Sequence, residues 1–183
     1  KKNSILADFS KFINFKSEYN FKDLWKWTIE NPEEFWTKFW DYSKIRGDKG
    51  KEIIQYNKVF NKTKFFPDSK LNYAENILKK KNDDIAIHFL SEKGFEESIS
   101  WNNLYKKVCK FSDYLKTLGL KKGDRVAAYV PNKIESIISF LACDKNGIIW
   151  SSCSPDFGTQ GVVDRFKQIE PSILITSDHY FYN

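Results

Sequence analysis

Apolar and polar positions are most regularly ordered between Arg125 and Thr176. Val126-Ala-Ala-Tyr-Val130, Ile148-Ile-Trp-Ser-Ser-Cys153 and Ile173-Leu-Ile-Thr176 are short apolar runs bounded by turn residues, the pattern of buried strands. Between them, Ile134, Ile137, Ile138, Leu141 and Ala142, then Val162, Val163, Phe166 and Ile169, recur at helical spacing. Strand, helix, strand, helix, strand predicts an α/β fold with a doubly wound, mostly parallel sheet covered on both faces. Ligands of such sheets sit beyond the carboxyl ends of the strands. Three strands are too few to complete a site of that kind. The chain also has no methionine and opens on Lys1-Lys2, so it reads as a piece of a longer protein.

Upstream, Ile85 to Leu90 and Glu97 to Ser100 predict a hairpin around Glu92-Lys93-Gly94. Ser100 is placed to cap a helix with Leu104, Val108, Phe111, Leu115 and Leu118 inward, ended by Gly119. Capping signals recur at Asn31-Pro32-Glu33-Glu34, at Asn72 with Glu75, and at Asn132 with Glu135. Ala74, Ile77 and Leu78 supply the buried side of the helix after Asn72. The polar stretch Lys79 to Asp84 marks a boundary. It separates a helical N-terminal cap region, residues 1–80, from residues 81–183, which begin a larger α/β domain.

Four of the six tryptophans, Trp25, Trp27, Trp36 and Trp40, fall in the first region. Phe35, Trp36, Phe39 and Trp40 make a wide apolar stripe. It reads either as rings that anchor short helices onto a following domain or as a surface for a partner or ligand.

With 41% apolar and 17% aromatic residues in 183 positions, the chain can bury a sizeable core. No apolar run reaches the roughly 18 residues of a membrane helix, and the N-terminus lacks a secretory pattern, so a cytoplasmic address without a membrane partner is expected. Cys109, Cys143 and Cys153 are odd in number and have no C-x-x-C pair, which predicts reduced thiols and no metal site. The net charge of +6 raises nucleic-acid binding as a possibility. Only Arg46, Arg125 and Arg165 are arginine, and the lysines are spread along the chain, so no nucleic-acid partner is expected.

No G-x-G-x-x-G, Walker loop or G-x-S-x-G elbow occurs, and no catalytic residue is assigned. His88 and His179 read as structural or solvated. One loop stands out: Ser154-Pro155-Asp156-Phe157-Gly158-Thr159 lies between a predicted parallel strand and a helix, where free backbone N–H groups favour phosphate. Asp156 would repel an anion or occupy those donors as a cap, and the loop also reads as a plain strand-to-helix turn. Pro131-Asn132-Lys133 is a second candidate with the same two readings.

Several segments together resemble the adenylate-forming ligases, and within them the acetoacetyl-CoA synthetases. They are Leu24-Trp-Lys-Trp27 with Pro32-Glu-Glu-Phe-Trp36, Phe66-Pro67 with Leu71-Asn-Tyr-Ala-Glu-Asn76, and Gly123-Asp-Arg-Val126 through Val130-Pro-Asn132. The last are Ser151-Ser-Cys-Ser-Pro-Asp-Phe-Gly158, Asp164-Arg-Phe166 and Gln168-Ile-Glu-Pro171. The Gly-Asp-Arg-Val stretch belongs to the wider superfamily; Leu71 to Asn76 and Ser154 to Gly158 carry the narrower likeness. The resemblance implies the leading part of an ATP-dependent acetoacetate:CoA ligase. Its parent uses ATP, Mg2+ and CoA and passes through an acyl adenylate.

The phosphate loop, the adenine and acyl pockets, the hinge and the catalytic lysine of such enzymes would lie after Asn183. This stretch alone should then be inactive and bind none of these ligands tightly. In related acyl-CoA synthetases the turn matching Ser154, Pro155 and Asp156 lies beside the CoA nucleotide; Pro155 and Asp156 stand where those enzymes have two glycines. Two other readings stay open: a ligase for acetate, propionate or butyrate, and a non-catalytic α/β interaction module. Uncovered sheet edges and apolar faces predict self-association of the fragment.

Overall fold

The computed structural model describes residues 4–15 and 20–180. The chain divides into two compact units, residues 1–71 and 72–183.

The first unit opens with three helices, α1 (Ile5–Phe12), α2 (Phe21–Glu30) and α3 (Pro32–Tyr42). The Ser4 hydroxyl accepts from the Ala7 amide at 3.2 Å and the Asn20 side chain from the Lys22 amide at 3.0 Å, satisfying donors that a helix start leaves unpaired. Asn31 does not cap α3 with its side chain, contrary to the sequence reading. Its amide group donates back to the Trp27 carbonyl at 3.2 Å and closes α2. Pro32 begins α3, where a missing N–H costs nothing.

Two short antiparallel ladders follow, β1 (Gly47–Asp48) with β4 (Lys70–Leu71) and β2 (Ile54–Gln55) with β3 (Lys64–Phe65). Side-chain packing in this unit is largely aromatic. Phe9 meets Phe35, Phe39 and Tyr42 edge-on at 6.0, 6.0 and 5.2 Å. Trp27, Trp36 and Trp40 contact Phe35, Phe65 and Phe66 respectively, whereas Trp25 is 56% exposed. Three of the four tryptophans thus serve packing inside the unit, which neither sequence reading anticipated.

The second unit starts with the five-residue helix α4 (Tyr73–Ile77), capped by Asn72, whose side chain accepts from the Glu75 amide at 2.9 Å. The hairpin β5 (Ile85–Leu90) and β6 (Glu96–Ser100) follows. Next comes α5 (Trp101–Thr117), with the Ser100 hydroxyl on the Asn103 amide at 3.3 Å. At its end the Gly119 amide reaches the Lys116 carbonyl and the Leu120 amide reaches that of Leu115, with Gly119 at φ +81°; this is a Schellman ending. Leu118, expected inward, is 47% exposed because it is the capping residue at that ending.

Then come β7 (Arg125–Tyr129), α6 (Ile134–Lys145), β8 (Ile149–Cys153), α7 (Thr159–Ile169) and β9 (Ile173–Thr176). The three strands are parallel in the order β8-β7-β9. The chain steps from β7 to β8 on one side and returns across β7 to β9 on the other. Right-handed crossovers in opposite directions place the two helices on opposite faces. Accordingly Val126 packs with Ile134, Ile138 and Leu141 of α6, while Ala127 and Cys153 pack with Val162 and Phe166 of α7.

Two polar contacts fix α6. Ser112 of α5, wholly buried, donates to the Asn146 side-chain oxygen at 2.9 Å, and the Asn146 amide group returns a bond to the Ser112 carbonyl at 2.8 Å. Asp144 holds α4: its carboxylate accepts from the Ala74 amide at 2.5 Å and its carbonyl from the Asn72 side chain at 2.7 Å. Residues 72–80 therefore belong with the second unit, and the polar stretch 79–84 lies inside it.

Among the described residues no helix is long and apolar enough to cross a membrane.

Candidate functional site

The reversal of winding between β7 and β8 is the switch point at which ligands of open α/β sheets bind, and the loops that follow these strands face each other there. A cleft of about 370 Å3 lies between them, lined by Pro131, Asn132, Phe140, Trp150, Ser152 and Ser154 among others. Both loops singled out in the sequence thus open on one cleft. A second hollow of about 350 Å3 runs toward Thr176 and Ser177 at the end of β9.

After β8, the Ser154 hydroxyl donates to the Asp156 carboxylate at 2.7 Å and accepts from the Asp156 amide at 3.3 Å. The Phe157 amide bonds the Ser154 carbonyl at 3.2 Å. Ser154, Pro155 and Asp156 therefore form one tight turn closed by the serine. Asp156 does not cap α7, as one sequence reading had it. The N-cap is Gly158, which has no side chain to offer, at φ −60° and ψ 152°. Thr159, Gln160 and Gly161 find no acceptor for their amides among the described residues, so the first donors of α7 stay open. A Cβ built on Gly158 would meet nothing within 4 Å. Arg165, one turn into α7, lies with its guanidinium 4.3 Å from the centre of the Phe157 ring.

Sequence reasoning missed the groups that hold this turn. The Tyr129 hydroxyl, at the carboxyl end of β7, lies 2.7 Å from the Pro155 carbonyl oxygen and 2.9 Å from that of Phe157. Tyr180 reaches the Pro155 carbonyl at 3.3 Å. The available signal was a tyrosine closing an otherwise apolar central strand, where a phenol needs a polar partner.

The second loop departs from its expected form. Asn132 and Glu135 make no capping box; Lys133 is the N-cap of α6 without a side-chain bond. The Ser136 hydroxyl instead donates to the Pro131 carbonyl at 2.7 Å, which fixes the chain one residue later than the spacing suggested. Asn132 is left exposed at the mouth of the cleft.

Both histidines are on the surface. Nδ1 of His88 lies 2.7 Å from the Ser98 hydroxyl, and Nδ1 of His179 lies 2.8 Å from Asp178. No three His, Cys, Asp or Glu side chains among the described residues come together as a metal site. Cys143 lies outside the cleft in the core, and its burial, with Asp144 beside it, pushes the thiol up to about 12.

The cleft runs across the ends of β7 and β8 on the side of α6, with the Trp150 indole as one wall and Ser152 and Ser154 among its polar groups. Among the described residues its lining brings together no nucleophile, base and orienting group.

The chain is similar to known proteins. The chain is 40% identical to an acetoacetyl-coenzyme A synthetase of Rhizobium meliloti strain 1021 over 86% of its own length and 24% of that protein's. It is 41% identical to the acetoacetyl-CoA synthetase of Xenopus tropicalis over 90% and 25% respectively. Among solved structures, acetoacetyl-CoA synthetase from Streptomyces lividans superposes with a TM-score of 0.88 at 28% identity, covering 99% of this chain and 29% of that one. The chain thus spans about a quarter of the length of these curated relatives. The family model described as AMP-binding enzyme matches residues 74–182, more than half of the chain and nearly all of its second unit. The chain belongs to the AMP-binding enzyme family.

Proposed function

We propose that this chain is part of an ATP-dependent acetoacetate:CoA ligase. The observation that carries the reading is the reach of the likeness. The family match begins at residue 74, whereas the likeness to the Streptomyces lividans acetoacetyl-CoA synthetase extends over both units, aromatic helices included. In the whole protein the acetoacetate carboxylate attacks the α-phosphorus of ATP and releases pyrophosphate. The CoA thiolate then attacks the acyl carbonyl and AMP leaves. Mg2+ accompanies ATP in this reading, and no step is assigned to it in this chain, where the described residues offer it no ligand set.

Within that reaction the turn Ser154-Pro155-Asp156 and the open amides at the start of α7 lie against the CoA nucleotide. Unpaired N–H groups aimed at one point, aided by the helix dipole, suit phosphate oxygens. The Asp156 carboxylate works against this attraction, and its bond to the Ser154 hydroxyl keeps it off the α7 amides.

Gly158→Ala tests the placement. Gly158 has an ordinary negative φ and open space around a new Cβ, so the substitution is silent in the free protein. In the full-length enzyme, KM for CoA should rise several-fold with KM for ATP unchanged, because a methyl group would stand where the nucleotide approaches. An unchanged KM for CoA would remove the turn from the CoA site.

A further inference from the structure

Tyr129 sits at the end of the central strand, its ring packed beside Ala127, Cys153, Val162 and Phe166. Its hydroxyl has one hydrogen to donate and two backbone carbonyls within reach, those of Pro155 at 2.7 Å and Phe157 at 2.9 Å. These carbonyls hold a particular place in the chain. In an α-helix each amide bonds the carbonyl four residues earlier, so an α7 extended by a turn would join the Thr159 amide to Pro155 and the Gly161 amide to Phe157. Neither bond forms. The helix instead begins at Thr159, after a Gly158 in extended geometry.

We infer that Tyr129 is a positioning residue for the CoA site: its hydroxyl holds the Pro155 and Phe157 carbonyls outside the helical register, so the turn stands away from α7 and the first amides of α7 remain available. The inference rests on the placement of the turn beside CoA. It adds the cause of the turn's shape, which lies 26 and 28 residues upstream on another element. The half-buried ring, packed against Ala127, Cys153, Val162 and Phe166, limits how far the hydroxyl can move, and the second carbonyl restricts rotation of the turn about the first bond. Tyr180, on the same Pro155 oxygen at 3.3 Å, is the weaker support.

The test is Tyr129→Phe in the full-length enzyme, which keeps the ring and removes only the hydroxyl. KM for CoA is expected to rise roughly fivefold, the size of one neutral hydrogen bond. Acid-dependent exchange of pyrophosphate into ATP, a half-reaction that needs no CoA, should keep its rate, and kcat at saturating CoA should stay within about twofold. Exchange also reports whether the variant has folded. Loss of exchange together with thioester formation would assign Tyr129 a general structural role and overturn the inference. A normal KM for CoA in Tyr129→Phe with a raised one in Gly158→Ala would overturn it while leaving the turn in the CoA site. Normal values in both variants would overturn the CoA placement and the inference with it.

Discussion

Asp144 illustrates how one side chain joins two distant stretches. A carboxylate in the last turn of a helix meets the unfavourable end of that helix's dipole. Here it faces the start of α4, where its bond to the Ala74 amide and the carbonyl's bond to Asn72 compensate. Asp144→Ala removes a charged hydrogen bond and should destabilise the fold by about 2 kcal/mol, read from a urea midpoint that falls without a change in slope.

Beside it, the wholly buried Cys143 carries a thiol raised from 9.0 to about 12 by burial first and by Asp144 second. A folded value above the unfolded one means that the stabilising contribution is complete below pH 9 and is lost as pH climbs toward 12. Stability should therefore fall through that window, and Cys143→Ala should flatten the fall; an identical pH profile in the variant would refute the assignment. The spacing of Asn72 and Glu75 announced a real cap, whereas the bonds of Tyr129 and Asp144 were hidden. Their partners are backbone atoms 26 to 70 residues away, and no local pattern encodes such a pairing.

Among the elements, the parallel strands were legible because both faces of the sheet demand continuous apolar runs. The end of α5 was legible at Gly119, where glycine is required, whereas the matching end of α6 at Gly147 went unread. α6 ends as α5 does, with the Gly147 amide on the Asp144 carbonyl, the Ile148 amide on that of Cys143, and Gly147 at φ +68°. A Cβ there would also approach Lys122 Cγ to 2.9 Å. Gly147→Ala should cost about 1–2 kcal/mol, most of it from the left-handed backbone, measurable as a lower thermal midpoint. Other starts were misread. Asn132 and Glu135 have the same spacing as Asn72 and Glu75, yet Ser136 captured the Pro131 carbonyl and moved the start of α6 to Lys133. The two-residue ladders of the first unit lie below the length at which alternation carries information.

At the scale of the molecule, the described sheet ends in β8 on one side and β9 on the other, neither paired on its outer edge. On the face that α7 covers, Ile149 and Leu174 flank the central strand at 53% and 56% exposure. Open edges beside apolar surface invite pairing with another chain. The isolated 183-residue polypeptide should sediment as dimers or larger species at high concentration; a clean monomer would contradict that expectation. The loop that begins at Ser154 stood out in the sequence because strand ends before helices are where such folds bind, whereas placing Ser154, Pro155 and Asp156 beside CoA came from the family resemblance. The hydrogen bonds of Tyr129 to the turn were not legible, because they come from a neighbouring strand 26 and 28 residues away.

The most direct measurement of the central claim is pyrophosphate release by the full-length protein with ATP, Mg2+ and CoA, compared across acetoacetate, acetate and butyrate. Release should be fastest with acetoacetate and should fall to background when the acid is omitted. Faster release with acetate or butyrate would contradict the acetoacetate assignment, and no release with any acid would contradict the ligase itself.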